Sequence, residues 1–237
     1  MTNQPIKDLP AWWWAGIPAA MLLLTFYAYF TSAELMVLLL RRDDHPDGGG
    51  IAENGTVLIL LPGIAAGIAV LRHYRDRLPL WLAGWLLGCI LACVYFAGEE
   101  ASWGQHYFRW AAPEALQGLN DQNETNLHNI GTWFDQKPRT LVELWVVVAG
   151  LFLPLWCRIR KRAPFGGNEW REWFWPTSVG ILTAAIFLGT QIVGKASKIY
   201  DLHALRSLGS NELREFYIAM FLSSYLLSIW YRLRQRP

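Results

Sequence analysis

The residues best suited to chemistry lie in one polar insert. Between Gly98 and Ile130 the chain reads GEEASWGQHYFRWAAPEALQGLNDQNETNLHNI, which gathers carboxylates, imidazoles, amides and indoles inside a protein that is 53% hydrophobic. Ionisable groups beside hydrocarbon are costly, so their clustering indicates function by default. The insert therefore predicts a site held at a membrane face.

Two adjacent carboxylates, Glu99 and Glu100, open this insert. Like charges at the end of a membrane span repel each other unless a cation, an arginine or a shared proton relieves them. A desolvated glutamate can act as a general base, so Glu99 and Glu100 are candidate catalytic residues. The alternative is that both glutamates mark a helix end in water, paired with Arg109.

A second carboxylate and imidazole pair follows at Glu124 and His128. If residues 124–135 are helical, Glu124, His128 and Asp135 project within about 40° of one another. A carboxylate and a neutral imidazole one turn apart can chelate zinc or another transition metal. The sequence thus suggests a divalent metal ion held by Glu124, His128 and His106, with an ordinary surface ion pair as the alternative for each pair.

The third apolar span also bears on this site. If its helix continues past the bilayer edge, Glu99, Trp103 and His106 share one face, although Gly104 weakens an unbroken helix. Two Glu/His pairs would then meet across one cavity. A metal site of CxxC spacing is not present, and Cys89 and Cys93, one helical turn apart, are interpreted as packing residues or, alternatively, as a soft-metal pair.

Further polar residues on the same side are candidates for substrate binding or buried charge. The insert amides either line a sugar or headgroup pocket or cap helices and form turns. Glu34 and Lys195 lie within or beside apolar sequence, so a salt bridge between them is an alternative to function. The candidate substrate-binding residues are Trp103, Asn129, Asp201, His203 and Lys195, and the candidate buried charges are Glu34, Glu53 and Glu215.

Bilayer-length helices must position these residues. With 14 tryptophans and only 17% charged residues, the chain is typical of integral membrane proteins. A membrane helix needs about 20 apolar residues, and the runs are continuously apolar rather than alternating, which disfavours a β-barrel. We predict an all-α polytopic fold, one domain over residues 1–237, with residues 99–140 as a structured insert. The predicted spans are Trp12–Leu40, Thr56–Leu71, Leu78–Gly98, Leu141–Cys157, Trp173–Gly194 and Phe216–Leu233.

The first of these runs has 29 residues and opens with three tryptophans. It predicts a retained, tilted helix anchored by an aromatic belt rather than a cleaved signal peptide.

Charge predicts the orientation. With six spans, both termini and the loops at 72–77 and 158–172 share one side, which holds 12 basic and four acidic residues. The positive-inside rule makes that side cytoplasmic and places the insert outside. Topology and anionic lipid explain the basic loops, so no nucleic-acid partner is predicted.

The motifs EEASWGQ at 99–105 and ETNLHN at 124–129 resemble those of a family of bacterial multi-pass inner-membrane proteins without an assigned activity. Glu53, Asn54 and Thr56 are similar to that family's acidic entry into the second span. The resemblance covers most of residues 50–130 and implies a bacterial inner membrane. It also singles out the motif residues Glu99, Glu100, Trp103, Gln105, Glu124, Asn126 and His128. On that resemblance Gln105 and Asn126 join the two glutamates as candidate catalytic residues.

Three functional hypotheses follow. The first is an outer-leaflet enzyme, metal-assisted, that hydrolyses or transfers a group on a lipid or lipid-linked substrate. The second is a proton-coupled transporter or channel that uses Glu34, the Glu99–Glu100 pair and Lys195 as a relay. The third is a non-catalytic membrane subunit whose tryptophan-rich outer surface docks an envelope protein or lipid.

Overall fold

The computed structural model describes residues 6–41, 49–108, 110, 132–160 and 170–236, with the backbone alone at residues 106 and 132–138. These ranges are helical and contain no strand. The α-helices are α1 Ile17–Thr31, α2 Ala33–Leu40, α3 Ile51–Tyr74, α4 Leu80–Glu100, α5 Gln105–Phe108, α6 Thr132–Val147, α7 Leu153–Ile159, α8 Trp170–Phe174, α9 Ile181–Ile199 and α10 Asn211–Leu233. A π-helical turn at Trp12–Gly16 precedes α1, and another at Val148–Phe152 joins α6 to α7.

Six segments of the described chain are long and apolar enough to cross a membrane. They confirm the predicted all-α polytopic fold, and the second and fourth are longer than their apolar cores suggested because helix continues into the polar flanks. The spans are Trp12–Thr31, Ile51–Arg77, Leu80–Glu100, Arg139–Ile159, Trp170–Ile199 and Ser207–Leu233.

The outward faces of these spans suit lipid. Leu23, Phe30, Leu80 and Ile159 are between 68% and 84% exposed. Such residues on a bilayer-length helix meet hydrocarbon rather than water. The last span differs, because 83% of its apolar window is buried compared with 22–44% for the other five. Helix α10 is therefore the central helix around which the others pack.

The predicted single helix over residues 12–40 is wrong. The chain leaves helical geometry at Ser32, whose φ of −154° and ψ of 114° are those of extended backbone. The Ser32 hydroxyl then accepts a hydrogen bond from the Leu35 amide at 3.1 Å and caps α2. Serine is common at this position because its hydroxyl oxygen accepts a hydrogen bond from a backbone N–H that has no acceptor within the first turn of the helix. The first span consequently ends at Thr31.

Helices α3 and α10 run side by side in the same direction, and small residues let them approach. Gly55 faces Phe216 and Gly63 faces Ser223, so the two contacts advance together along both helices. A Cβ added to Gly63 would lie 2.6 Å from the Ser223 Cα. Close backbone approach through small residues is the usual way in which membrane helices associate.

An aromatic cluster joins α10 to three other spans. Trp85 donates from its indole to the Tyr225 hydroxyl at 2.9 Å, and that hydroxyl donates to the Phe174 carbonyl at 3.0 Å. The Trp145 ring meets Tyr225 and Phe221 edge-on, with centroids 5.0 and 5.3 Å away. These contacts join α10 to α4, to α6 and to α8.

We call the end where α4 stops and α6 begins the insert end, and the other the basic end. Arg72, Arg75, Arg77, Arg232 and Arg234 belong to the basic end, because α3 and α10 finish there. Residues 111–131 of the insert lie outside the described part of the chain. That this part of the insert is structured stays a prediction.

Candidate functional site at the insert end

Glu99 is a buried carboxylate at the end of a membrane span. Helix α4 continues two residues beyond the predicted end, Gly98, and therefore carries Glu99 and Glu100 in its last turn. Glu99 is 5% exposed, and the Trp103 indole donates to its Oε1 at 2.7 Å. Hydrogen bonds to a carboxylate are stronger than those between neutral groups, and a buried carboxylate needs them to offset its lost hydration.

The chain after α4 reverses in a left-handed turn. Ser102, Trp103 and Gly104 have φ angles of 43°, 53° and 94°. Glycine adopts this geometry freely, whereas each of the other two stores on the order of 1–3 kcal/mol of strain. The predicted continuous face with Glu99, Trp103 and His106 is therefore wrong. Trp103 meets Glu99 because the turn folds its indole back onto α4, and His106 belongs to the separate helix α5.

The Trp103 ring is held on α4 by close packing. A Cβ added to Gly98 would lie 2.9 Å from the ring, so the absence of a side chain there admits the indole. Tyr95, one turn earlier on α4, meets the ring edge-on with centroids 6.3 Å apart. Trp103 is nevertheless 43% exposed. One side of the indole thus holds Glu99 while the other faces the surroundings of the protein.

A hydrogen bond ties this motif to the start of α3. The Tyr107 hydroxyl donates to the Asn54 Oδ1 at 2.9 Å, and the Asn54 amide donates to the Gly50 carbonyl at 2.9 Å. Glu53 lies beside Asn54 in the first turn of α3 and is half-buried, as is Gln105. The predicted buried charge Glu53 and the candidate catalytic residue Gln105 therefore belong to elements that this bond connects.

A second polar group at the insert end joins α6, α9 and α10. Arg139 contacts Glu215 on α10 at 2.6 Å and Glu143 on its own helix at 3.1 Å. Gln191 on α9 donates to Glu143 at 3.0 Å and accepts from Arg214. Glu215, one of the predicted buried charges, is half-buried and paired. We call these five residues the Arg139 network.

The Glu99–Trp103 pair and the Arg139 network lie at the same end of the bundle. The Tyr107–Asn54 bond connects the first to α3. The next residue on α3 is Gly55, and a Cβ added there would lie 3.1 Å from the Phe216 ring. Phe216 directly follows Glu215 of the network. The polar site predicted at the insert end therefore has two structural components, one of which includes residues that the sequence did not single out.

Residues of the last loop form a separate cluster. Asp201, with a φ of 52°, contacts His203 at 3.1 Å and Arg206 at 2.7 Å. All three side chains are more than half exposed. Within the described ranges these contacts are local, so Asp201 and His203 are not brought to Glu99 by any of them.

The suggested pairing of Glu34 with Lys195 is not observed. Both side chains are exposed, and the described part of the chain contains no ion pair between them. Glu34 is not the buried charge that the sequence predicted, because the helix break at Ser32 puts it in the exposed first turn of α2. Lys195 is likewise an exposed residue of α9, and nothing in the described chain relates it to Glu99.

The remaining candidates lie outside the described residues. Glu124, Asn126, His128 and Asn129 belong to the stretch that is not described, and only the backbone of His106 is. The meeting of these groups with Glu99 stays a prediction. Among the described residues, no group of three or more histidine, cysteine or acidic side chains could hold a metal ion.

Sequence reasoning missed Arg139, Glu143 and Arg214. A signal was present at Glu143, a charge inside the apolar run TLVELWVVVAGLF, where an unpaired carboxylate would be penalised. Arg139 lies four residues earlier, at the spacing of neighbours on one helical face. Arg214 gave no comparable signal, because it lies near the polar start of its span.

Comparison of the chain with protein-family models, with curated proteins and with solved structures gives no match.

Proposed function

We propose that this protein is an outer-leaflet enzyme of a bacterial inner membrane. It hydrolyses or transfers a group on a lipid or lipid-linked substrate, with Glu99 as the general base. The observation that carries the proposal is the buried Glu99 carboxylate, which the Trp103 indole holds inside a strained turn at the end of a span. Backbone strain and buried carboxylates both concentrate at functional sites, and here they coincide in neighbouring residues.

The location of Glu99 favours a substrate with a polar group next to lipid. Glu99 is in the last turn of a span, so it lies at the level where acyl chains give way to headgroups. The exposed side of Trp103 supports this, since indoles favour that boundary. In this proposal Glu99 takes a proton from the attacking water or hydroxyl, and Glu100, Gln105 and Asn126 orient the reacting groups.

A divalent metal is part of the proposal. Its ligands would be Glu124, His128 and His106, and the ion would polarise the group under attack. The donor types suit zinc or another transition metal. Trp103 and Asn129 are the candidate substrate-binding residues of this site, whereas no contact in the described chain brings Asp201, His203 or Lys195 to it.

Orientation belongs to the same proposal. Arg72, Arg75, Arg77, Arg232 and Arg234 gather at the basic end, which the positive-inside rule assigns to the cytoplasm. Reporter fusions after residue 236 and after residue 77 should both be cytoplasmic, and a fusion after Phe108 should be periplasmic. A periplasmic reporter after residue 77 would reverse the assignment and would place Glu99 in the wrong leaflet.

A non-catalytic envelope subunit is the second candidate. Phe108 and Trp110 are 75% and 43% exposed, and their rings stack with centroids 5.6 Å apart. Exposed aromatic pairs are typical of binding surfaces. A partner that copurifies with Glu99→Gln but not with Phe108→Ser would favour this function.

The exposure of Glu34 and Lys195 weighs against the transporter hypothesis, which needed both residues in its proton relay.

The test of the enzyme proposal uses the full chain in nanodiscs that contain a total bacterial lipid extract. Mass spectrometry follows the lipid species with time. Glu99→Gln should slow turnover by about 100-fold or more, the usual contribution of a general base. Glu34→Gln, the same change at an exposed carboxylate, should leave turnover unchanged. No change in any lipid with the unaltered protein, or equal rates for Glu99→Gln, would refute the proposal.

Elemental analysis of the same samples tests the metal. A stoichiometric divalent ion should be present in the unaltered protein and lost in Glu124→Ala/His128→Ala. Lipid turnover by a preparation without bound metal would show that the reaction needs no metal, and the proposal would then keep only Glu99 as the general base.

A further inference from the structure

A buried arginine at the basic end has unsatisfied hydrogen-bond donors. Arg232, near the end of α10, is 3% exposed, and its Nε donates to the Ser228 carbonyl and hydroxyl oxygens at 3.2 Å. Its Nη1 and Nη2 are buried and have no hydrogen-bond partner among the described residues. Buried donors are almost always satisfied, so such atoms indicate a water or an ion that completes the site.

Trp173 and a second arginine complete this cluster. The guanidinium carbons of Arg232 and Arg236 lie 4.5 and 4.6 Å from the centroid of the Trp173 ring. The Trp173 indole nitrogen is also buried without a partner among the described residues. Two guanidinium groups therefore lie against one indole, and the arginines and the indole N–H are all hydrogen-bond donors.

Asp8 does not satisfy the donors of Arg232. Its carboxylate comes no closer to this guanidinium than 3.9 Å, at Nε. Its oxygens instead accept from Ser228 at 2.7 Å, from Thr177 at 2.6 Å and from the Leu9 amide at 2.8 Å. Since Asp8 is already engaged by three donors, Nη1 and Nη2 of Arg232 need an acceptor from elsewhere.

We propose that Arg232, Arg236 and the Trp173 indole bind a phosphate oxyanion, supplied by the headgroup of an anionic lipid. A phosphate offers several acceptor oxygens to donors of this fork-like geometry. Basic pockets between membrane helices on the cytoplasmic side bind anionic headgroups. Arg236 is half-buried and lies at the surface end of the cluster, where movement of its long side chain admits the headgroup to Arg232.

The test compares two arginines on one helix. The full chain is placed in nanodiscs of phosphatidylcholine with a small fraction of phosphatidylglycerol, and bound phosphatidylglycerol is measured by native mass spectrometry. Arg232→Gln should lower its affinity by about tenfold, because a charged donor group is lost. Arg234→Gln removes the same charge from an exposed side chain that lies 4.4 Å from the Trp230 ring, and it should change affinity little.

Further arms identify the source of the phosphate and control for folding. Inorganic phosphate in phosphatidylcholine nanodiscs tests a free anion, and its tighter binding than phosphatidylglycerol would contradict a lipid source. Arg236 is only half-buried, so Arg236→Gln should leave the protein folded. It should also weaken phosphatidylglycerol binding. Equal retention of phosphatidylglycerol by the unaltered protein, Arg236→Gln and Arg234→Gln would overturn the proposal.

Discussion

At the scale of single residues, the candidate site depends on one buried carboxylate, Glu99. Glu99 is buried in the last turn of α4, and the Trp103 indole compensates for its lost hydration with a hydrogen bond of 2.7 Å. Trp103 can do so only because Ser102 and Gly104 adopt left-handed geometry with it. The strain of the turn and the desolvation of the acid are thus parts of one arrangement.

Removal of this indole donor is expected to destabilise the protein. Trp103→Phe keeps a ring over Gly98 but deletes the N–H that Glu99 accepts. Because a buried charged acceptor loses a partner, we expect the free energy of unfolding in detergent to fall by about 1–3 kcal/mol. Trp13→Phe deletes a similar indole bond to the neutral Ser224 hydroxyl at 3.1 Å and should cost only about 0.5–1.5 kcal/mol. A smaller loss for Trp103→Phe than for Trp13→Phe would show that Glu99 does not depend on this bond.

At the scale of elements, the membrane spans could be predicted from the sequence, whereas the helix break at Ser32 and the turn after α4 could not. Apolar length identified all six spans, because each must cross the same hydrocarbon core. Hydropathy is blind to the break at Ser32, since both sides of it are equally apolar. The turn at Ser102–Gly104 was also missed: Gly104 hinted at a helix end, but nothing local indicated that a tryptophan would adopt positive φ.

The packing of α3 on α10 gives a direct test of the fold. A Cβ at Gly63 would meet backbone, 2.6 Å from the Ser223 Cα, so Gly63→Ala forces the two helices apart. We expect it to lower the free energy of unfolding by about 1–3 kcal/mol. Gly84→Ala is the matched change on α4, where nothing lies within 4 Å, and it should be neutral or stabilising by up to about 1 kcal/mol. Thermal unfolding of both variants measures the difference, and equal stability would place α3 farther from α10 than the structure does.

At the scale of the whole molecule, the charged groups of the two candidate sites lie at opposite ends of the bundle. The Arg139 network and Glu99 lie at one end and Arg232 at the other, and Tyr225 with its indole neighbours lies between them. A single sequence indicates the face on which a charge lies but not which span faces it. The pairing of Arg139 with Glu215, 76 residues apart, therefore could not be predicted, whereas the polar character of the insert end could.

The Arg139 network should couple α6 to α10 energetically. Arg139 and Glu215 are 2.6 Å apart with side chains 24% and 18% exposed, so water screens the pair only in part. A double-mutant cycle of Arg139→Gln and Glu215→Gln on unfolding in detergent should give a coupling energy of about 1 kcal/mol. The same cycle with Glu143→Gln tests an i,i+4 pair within one helix, for which about 0.3–0.5 kcal/mol is expected. Only the Arg139–Glu215 pair joins two helices, so a larger coupling energy for it would show that charge as well as packing holds α6 to α10 at the insert end. A coupling energy of zero for Arg139 and Glu215 would show that packing of α10 alone holds the two helices together.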